Sequence, residues 1–261
     1  MESKDWYTNM VLKYSLNDRL DDIDIYINEL LCRSYKTFQN MDDIYDEFKD
    51  YEHALSTVIG QDDIENLRYY TGIAFRNVNA VLRNNWSYDV NGELTSDKQI
   101  EFRELARSIS DSINKSGKEL SSDIIVYRGV SLSAFKNFGI NSISDLILLK
   151  DQFVYDSGFV STSLIRDKSF FDRELEYHDK CNIEIEYLIP NECADGIPLI
   201  NSDLSYNSDE QTEYLINSGN LSKVIDVKFN EDKSKAYIKM AYIPKKVWDK
   251  TYGISDEKVS L

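Results

Sequence analysis

Apolar side chains recur at helical spacing in the first half of the chain. Within residues 21–31 they fall on one face of a predicted helix, at Ile23, Tyr26, Ile27, Leu30 and Leu31. Steps of three and four residues bring side chains to the same side of an α-helix. The same spacing predicts a second helix over residues 64–82 and a third over residues 97–115.

Polar residues stand where the second and third predicted helices begin. Asp62 or Asp63 is predicted to cap the second helix, and Ser96 the third, because short polar side chains accept hydrogen bonds from the free N–H groups of a first turn. The residues of the third helix predicted to face inward are Ile100, Leu105, Ile109 and Ile113.

After residue 121 the period of the apolar pattern changes to two. Residues 124–127 form a short apolar run, and residues 182–187 alternate apolar with polar or charged side chains, as expected of a strand with one buried face. Residues 223–229 and 235–243 are separated by a polar turn, which predicts an antiparallel pair. Helices followed by strands indicate an α+β fold and not an alternating parallel sheet.

The composition is typical of one compact unit. Of 261 residues, 42% are hydrophobic and only 3 are proline, so the chain can bury a sizeable core and has no proline-rich linker. A net charge of −16 repels phosphate backbones and anionic lipid heads. A nucleic-acid partner is therefore disfavoured, and no membrane partner is expected.

The sequence also lacks the features of a secreted protein, a membrane protein or a zinc protein. Residues 1–6 are polar and acidic, without the apolar core of a signal peptide, and nowhere do about twenty apolar residues run together. With 3 cysteines, none in a CxxC pair, and 2 histidines, a zinc site is improbable. We expect a protein that is cytoplasmic in the producing cell, contains no metal, and acts there or is delivered to a host cell.

Two short motifs beside predicted strands carry candidate chemistry. Arg128 and Gly129 follow the first predicted strand; a guanidinium can hold a diphosphate bidentately, and glycine lets a ligand approach the backbone. The other motif is the hydroxyl run Ser161, Thr162 and Ser163, which can orient a catalytic group. Taken alone, each motif is more typical of an ordinary strand, with a solvated arginine or with hydroxyls bonded to the backbone.

A third motif, Gln211 and Glu213, follows a polar loop. In an extended backbone these two side chains project on the same face. An amide beside a carboxylate can hold a substrate and stabilise a cation, whereas a solvated strand end is the common alternative.

In this order, the three motifs resemble the Arg-Ser-Glu signature of toxin-type mono-ADP-ribosyltransferases. The subgroup is that of the Rho-modifying clostridial exoenzymes and the enzymatic components of iota-like binary toxins, and the resemblance covers roughly residues 60–245. It implies a helical lobe packed on two antiparallel sheets that form an NAD cleft, with NAD as the substrate and Glu213 as the catalytic carboxylate. We accordingly expect a helical N-terminal extension over residues 1–60 and a catalytic domain over residues 61–261.

The resemblance extends to a family helix, matched here by Tyr70 and Thr71 followed by Asn79 and Arg83. Asn79 and Arg83 are four residues apart and therefore share a helix face. On this match they contact the phosphates and ribose of NAD. A solvated helix charge is the alternative for Arg83.

The remaining contacts to NAD follow from the same resemblance. Family members carry, after the hydroxyl run, an aromatic residue that packs on nicotinamide and an arginine that binds phosphate. Phe170 and Arg173 occupy suitable positions, Phe171 competes for the stacking role, and either phenylalanine could instead belong to the core. The full set of implied NAD-binding residues is Asn79, Arg83, Arg128, Gly129, Ser161, Thr162, Ser163, Phe170 and Arg173.

The implied mechanism is electrostatic. Cleavage of the nicotinamide–ribose bond builds positive charge on the ribose, and an ionised Glu213 stabilises that charge. Ser161 orients Glu213, while Arg128, Arg83 and Arg173 hold the diphosphate. Fixed charges aimed at a developing cation lower such barriers.

Gln211 and Tyr206 bear on the acceptor of the ADP-ribose. In the family, glutamine at the position of Gln211 goes with asparagine, glutamine or guanine acceptors, and glutamate with arginine. A neutral amide can pair with another amide or a base edge but cannot attract a guanidinium. With the acidic chain, this favours a protein Asn or Gln side chain over a nucleic-acid base. Tyr206 lies in the loop that contacts the target in the family, and this loop lacks the glycine usual there.

Other functions stay open at this point. They are transfer to a DNA or RNA base in a phage-defence or toxin–antitoxin setting, hydrolysis of NAD with water as acceptor, and a binding role without catalysis. The presence of Arg128, Ser161 and Glu213 argues against the last. We expect a monomeric toxin or effector. Its residues 1–60 either stabilise the helical lobe, which is favoured, or form an acidic docking surface for an antitoxin or another partner.

Overall fold

The structure is a computed structural model that describes residues 20–83, 94–172, 180–200, 204 and 212–252. Its helices are α1 (Leu20–Leu31), α2 (Met41–Val58), α3 (Gln61–Tyr69), a π-helical turn (Tyr70–Ala74), α4 (Phe75–Leu82), α5 (Ser96–Ser116) and α6 (Lys245–Tyr252), with 3-10 turns at Leu132–Phe138, Ile143–Leu149 and Arg166–Lys168. Its strands are β1 (Ile124–Val130), β2 (Phe153–Asp156), β3 (Val160–Ser163), β4 (Ile183–Ile189), β5 (Gly196–Leu199), β6 (Glu213–Ile216), β7 (Asn220–Phe229) and β8 (Ala236–Ile243).

The second predicted helix is built from α3, the π-helical turn and α4, and it begins earlier than expected. Gln61 is its first residue and Gly60 its N-cap. The prediction that Asp62 or Asp63 occupies the cap is wrong. Asp63 is the third helical residue, and its carboxylate reaches back to accept the Gly60 N–H at 2.9 Å, as the acidic member of a capping box does.

The third predicted helix, α5, begins at Ser96, so Ser96 is not its cap. Thr95 takes that place, and its hydroxyl accepts the N–H of Lys98 at 3.4 Å. Ile100 was expected inward but is 54% exposed. It precedes Leu105 by five residues, and this step turns its side chain about 140° around the helix axis, away from the buried face. The other three residues are buried as predicted, namely Leu105, Ile109 and Ile113.

The eight strands lie in one sheet in the order β2-β7-β8-β4-β1-β3-β6-β5. A single residue pair, Tyr127 with Ser163, joins β1 to β3. At this point the sheet divides into a five-stranded block (β2-β7-β8-β4-β1) and a three-stranded block (β3-β6-β5). The predicted α+β fold, a helical lobe on two sets of strands, is confirmed, and the predicted hairpin is the antiparallel pair β7 and β8. The expected sheets were antiparallel throughout, whereas β4 and β8 are paired in parallel.

The helical lobe and the sheet share one large core. Phe48 and Leu55 of α2 belong to the same buried cluster as Leu67 of α3 and Ile109 of α5, so residues on both sides of position 60 contribute to it. The division into an extension over residues 1–60 and a catalytic domain stays a prediction. No described helix is long and apolar enough to cross a membrane.

The first helix, α1, packs on β7 and β8 near α6. Its apolar face forms a second buried cluster, made of Ile23, Ile27, Leu30, Leu221, Ala241, Ile243 and Trp248. At its polar edge, Lys223 donates to Asp24 at 2.6 Å. Just beyond the helix, Arg33 donates to Glu192 at 2.7 Å. Apolar burial and these ion pairs thus fix α1 on the sheet.

Candidate active site

Glu213 is the first residue of β6 and lies in the middle of the three-stranded block. Its backbone is paired with Ser163 of β3 on one side and Leu199 of β5 on the other. The residue is buried, with 6% of its surface exposed. Ser161 is two residues along β3 from Ser163 and so shares its face, and it lies close enough to the Glu213 carboxyl to lower its pKa.

The environment of Glu213 raises its pKa from the usual 4.5 to about 7. Burial is the main cause, since a carboxylate loses its hydration there. The neighbouring Ser161 hydroxyl and the positive charge of Arg128 act in the opposite direction and lower the pKa. Glu213 is therefore poised between its two protonation states near neutral pH, a property that occurs preferentially at functional sites.

The other two hydroxyls of the run bond within the protein. Thr162 Oγ1 donates to the carbonyl of Tyr214 at 2.6 Å. Ser163 Oγ lies 2.8 Å from the carbonyl oxygen of Ile165 and 2.9 Å from the hydroxyl of Thr212. Both side chains are buried. Thr162 and Ser163 thus hold β3 against β6 and fix the two strands on which Ser161 and Glu213 stand.

Arg128 lies near the end of β1. It pairs with Ile185 of β4, so it shares a face of the five-stranded block with Tyr187, two residues further along β4. Burial raises the pKa of Tyr187 to about 12, and the charge of Arg128 opposes that rise. Among the described residues, Arg128 forms no ion pair with a carboxylate. Its positive charge reaches Glu213 and lowers the pKa of that carboxyl.

Gly129 allows a loop to cross β1 in close contact. Its N–H donates to the carbonyl of Ser169. A Cβ at position 129 would lie 2.3 Å from the backbone nitrogen of Phe171 and 2.5 Å from the carbonyl carbon of Phe170. Only glycine permits this approach, so the loop after β3 crosses β1 directly beside Arg128.

Asn79 is bonded on both sides within the protein. Its Nδ2 donates to the Tyr70 hydroxyl at 3.1 Å, and its Oδ1 accepts the N–H of Phe159 at 2.8 Å. Burial together with the charge of Glu213 raises the pKa of Tyr70, and the neighbouring Ser161 hydroxyl acts in the opposite direction. Asn79 is therefore hydrogen-bonded to Tyr70, and Ser161 and Glu213 lie near the Tyr70 hydroxyl.

Arg83 forms a bidentate ion pair with Asp156 at the end of β2. The distances are 2.7 Å from Nε to Oδ1 and 2.9 Å from Nη2 to Oδ2. Asp156 also accepts the N–H of Gly158 at 2.8 Å. A Cβ on Gly158 would lie 2.7 Å from both Arg83 Nε and Asn79 Oδ1. The turn between β2 and β3 thus packs closely against Asn79 of α4 and against Arg83, the residue that follows α4.

The two neighbouring phenylalanines, Phe170 and Phe171, differ in what the structure shows of their surroundings and backbone. The ring of Phe171 packs against Tyr237 of β8, 5.4 Å between centroids, and Lys235 lies 5.5 Å from its centroid. Phe170 is half-buried and has a φ of 63°, a left-handed conformation that is uncommon for a bulky residue. Strain of this kind concentrates at ligand sites.

Three of the candidate residues lie outside the described residues. They are Gln211, Tyr206 and Arg173. Their assignments stay predictions.

Sequence reasoning gave no role to Tyr70, Asp156 or Tyr187, which the structure places around Asn79, Arg83 and Arg128. Tyr70 stands in a motif that the resemblance named, and its burial within a helix pattern was the available signal. Asp156 and Tyr187 carry no local signal, because only the tertiary fold brings them to Arg83 and Arg128. Within the described residues, no group of three or more His, Cys, Asp or Glu side chains is arranged to hold a metal ion.

The comparisons with known proteins agree with this geometry. The profile of the ADP-ribosyltransferase exoenzyme family matches residues 27–246. No curated protein matches the sequence. The chain is similar in structure to C3stau2 from S. aureus, crystallised with NAD, at 21% identity and a TM-score of 0.63 over 82% of this chain and 100% of that one.

Two further solved structures share the fold. The C3 exoenzyme of Clostridium limosum is 18% identical with a TM-score of 0.60, over 81% of this chain and 98% of that one. The ADP-ribosylating toxin BECa of a C. perfringens binary enterotoxin, solved with NADH, is 15% identical with a TM-score of 0.60, over 80% of this chain and 50% of that one. At these identities the structural likeness establishes the fold, whereas the family profile spans most of the chain. This chain therefore belongs to the ADP-ribosyltransferase exoenzyme family, the toxin-type mono-ADP-ribosyltransferases that use NAD as their substrate.

Proposed function

We propose that this protein cleaves the nicotinamide–ribose bond of NAD at Glu213 and transfers the ADP-ribose to an Asn or Gln side chain of a target protein, as a toxin or effector. The observation that carries the proposal is the buried Glu213 carboxylate, which has Ser161 beside it and the positive charge of Arg128 nearby. Buried among these groups, the carboxylate is preorganised toward a cation that forms during the reaction.

The residues present suit the charge distribution of NAD. The diphosphate is anionic and needs a fixed cation, and Arg128 has no carboxylate partner among the described residues. Arg83 is already paired with Asp156 and so contributes less net charge. The ribose that becomes cationic needs an anion, which Glu213 supplies above its pKa of about 7. We propose that Arg128 is the principal diphosphate ligand and that Arg83 and Arg173 support it.

The remaining residues position these groups. Ser161 orients the Glu213 carboxylate, and Tyr70, hydrogen-bonded to Asn79, lies near both. Thr162 and Ser163 lock β3 to β6. Phe170 is the aromatic residue that we propose packs on nicotinamide, on the resemblance, whereas the ring of Phe171 packs against Tyr237.

The choice of acceptor rests on Gln211, two residues before Glu213. A neutral amide beside the reacting ribose can pair with another amide and offers no charge to attract a guanidinium. The net charge of −16 disfavours DNA and RNA, whose phosphates it repels. A protein amide satisfies both conditions.

The test is transfer of label from NAD to macromolecules in bacterial and mammalian lysates, each divided between protease and nuclease treatment. Protease-sensitive label that is lost with Glu213→Gln, and kept with Glu101→Gln on the exposed side of α5, supports the proposal. Nuclease-sensitive label would place the acceptor in nucleic acid. Nicotinamide release without any labelled macromolecule would identify a glycohydrolase.

A further inference from the structure

The loop after β3, residues 164–172 (the β3–β4 loop), crosses three residues that lie side by side on the sheet. They are Gly129 of β1, Glu184 of β4 and Tyr237 of β8. Gly129 pairs with Glu184, and Glu184 pairs with Tyr237, so the three form a row on one face of the five-stranded block. Arg128 pairs with Ile185 and therefore belongs to the opposite face.

Glu184 holds the beginning of the loop. Its carboxylate accepts two hydrogen bonds from Arg166, one from Nε at 3.1 Å and a second from Nη2. The Arg166 guanidinium also lies over the ring of Tyr127, 5.7 Å from its centroid. Glu184 is 4% exposed, and a carboxylate so deeply buried requires a partner charge. The ion pair is thus the fixed point of the first half of the loop.

The other two residues of the row hold the second half. Gly129 donates its N–H to Ser169 and leaves room for the backbone of residues 170 and 171. Tyr237 packs on the ring of Phe171. Phe170 and Asp172, the residues on either side of Phe171, have φ values of 63° and 62°. Such strained residues persist only where their surroundings hold them.

We propose that Glu184 is a positioning residue for NAD cleavage, which acts through Arg166 to hold the β3–β4 loop against Gly129 and so fixes the end of β1 that carries Arg128. The inference rests on the proposed function. A bidentate arginine–carboxylate pair has a defined geometry that a lysine cannot reproduce. A displacement of roughly 1 Å in a group that positions the substrate is enough to lower the rate strongly.

The test compares Arg166→Gln, Arg166→Lys and Glu184→Gln with the wild type in steady-state nicotinamide release, with the melting temperature measured alongside. The matched control is Arg33→Gln, because Arg33 forms a similar bidentate pair with Glu192 at the end of α1. We expect Arg166→Gln and Glu184→Gln to raise the KM for NAD about tenfold, with a smaller change in kcat. Arg166→Lys should fall between these variants and the wild type, and Arg33→Gln should lower only the melting temperature.

The outcomes separate this inference from the proposed function. If Arg166→Gln and Glu184→Gln lose melting temperature as Arg33→Gln does but keep the wild-type KM, the pair only stabilises the fold and the inference is overturned. If Arg166→Gln fails to fold, the KM of Arg166→Lys decides, and a wild-type value overturns the inference. A wild-type protein that does not cleave NAD overturns the proposed function itself, and with it the role of Glu184.

Discussion

The side-chain oxygen of Asn79 accepts the backbone N–H of Phe159 at 2.8 Å, and this bond joins α4 to the start of β3. The amide nitrogen of the same side chain donates to the Tyr70 hydroxyl, which in turn lies near Ser161. A single side chain thus links the helical lobe to the strand that carries the hydroxyl run. Both polar atoms of the Asn79 side chain are therefore hydrogen-bonded within the protein.

Asn79→Ala should lower the free energy of unfolding by about 1–3 kcal/mol, because it leaves the buried Phe159 N–H and the Tyr70 hydroxyl without this partner. Urea unfolding followed by circular dichroism measures the change. Asn66→Ala is the control, since Asn66 donates one hydrogen bond, at 2.8 Å, to Ser108 in a partly buried position. Equal losses in the two variants would contradict the importance given to the Asn79 contacts.

The rate of NAD cleavage should depend on pH through Glu213. Its pKa is raised to about 7, and the reaction requires the ionised carboxylate. We expect kcat/KM to rise about tenfold per pH unit below 7 and to level off above it. Steady-state kinetics between about pH 5.5 and 8.5 measures the profile, and a flat wild-type profile over that range would show that Glu213 does not titrate as described.

Stability should depend on pH in the opposite direction. Because the pKa of Glu213 is raised in the folded state, from 4.5 to about 7, its contribution to stability is fully present below about pH 4.5 and is lost as the pH rises through 7. At about pH 8 the buried charge costs up to roughly 3 kcal/mol. Glu213→Gln should therefore be more stable than the wild type at pH 8 and similar to it near pH 5, as measured by thermal or urea unfolding. A variant less stable than the wild type at pH 8 would mean that the carboxylate is better compensated than its surroundings indicate.

Gly129→Ala should displace the β3–β4 loop, because the added Cβ would lie 2.3 Å from the backbone nitrogen of Phe171. We expect a loss of about 1–3 kcal/mol in stability and a raised KM for NAD. Gly60→Ala is the control, since its Cβ would meet nothing closer than 3.9 Å. If Gly129→Ala behaves like Gly60→Ala in both measurements, the loop does not depend on the crossing.

Much of the fold follows from local patterns. Helix α1 and part of the hairpin of β7 and β8 are amphipathic, so their periods of 3.6 and 2 can be recognised without tertiary information. Helix α2 also carries a legible spacing in Ile44, Phe48, Tyr51 and Leu55, all buried, although no individual helix was predicted there. The parallel pairing of β4 with β8 could not be predicted, because it depends on which distant strands meet and not on the pattern of either strand.

The candidate site, too, contains residues that the sequence motifs identify and contacts that only the tertiary fold creates. Arg128, Ser161 and Glu213 were identified from the order of three motifs. The fold places Arg128 and Ser161 near the carboxylate of Glu213. The partners of Arg83 and Arg166, by contrast, are 73 and 18 residues away in sequence. Neither pairing has a local signature, because an acidic residue on a strand is usually solvated. The contact of Phe171 with Tyr237 likewise joins residues that are far apart in sequence.

The most direct test of the account is nicotinamide release from NAD by the purified protein at about pH 8, compared with Glu213→Gln and with Glu101→Gln. Glu213 should be ionised at that pH, since its pKa is about 7. We predict that the wild type and Glu101→Gln release nicotinamide at the same rate and that Glu213→Gln is at least about a hundredfold slower. Release by Glu213→Gln at the wild-type rate would contradict the assignment of Glu213 as the catalytic carboxylate.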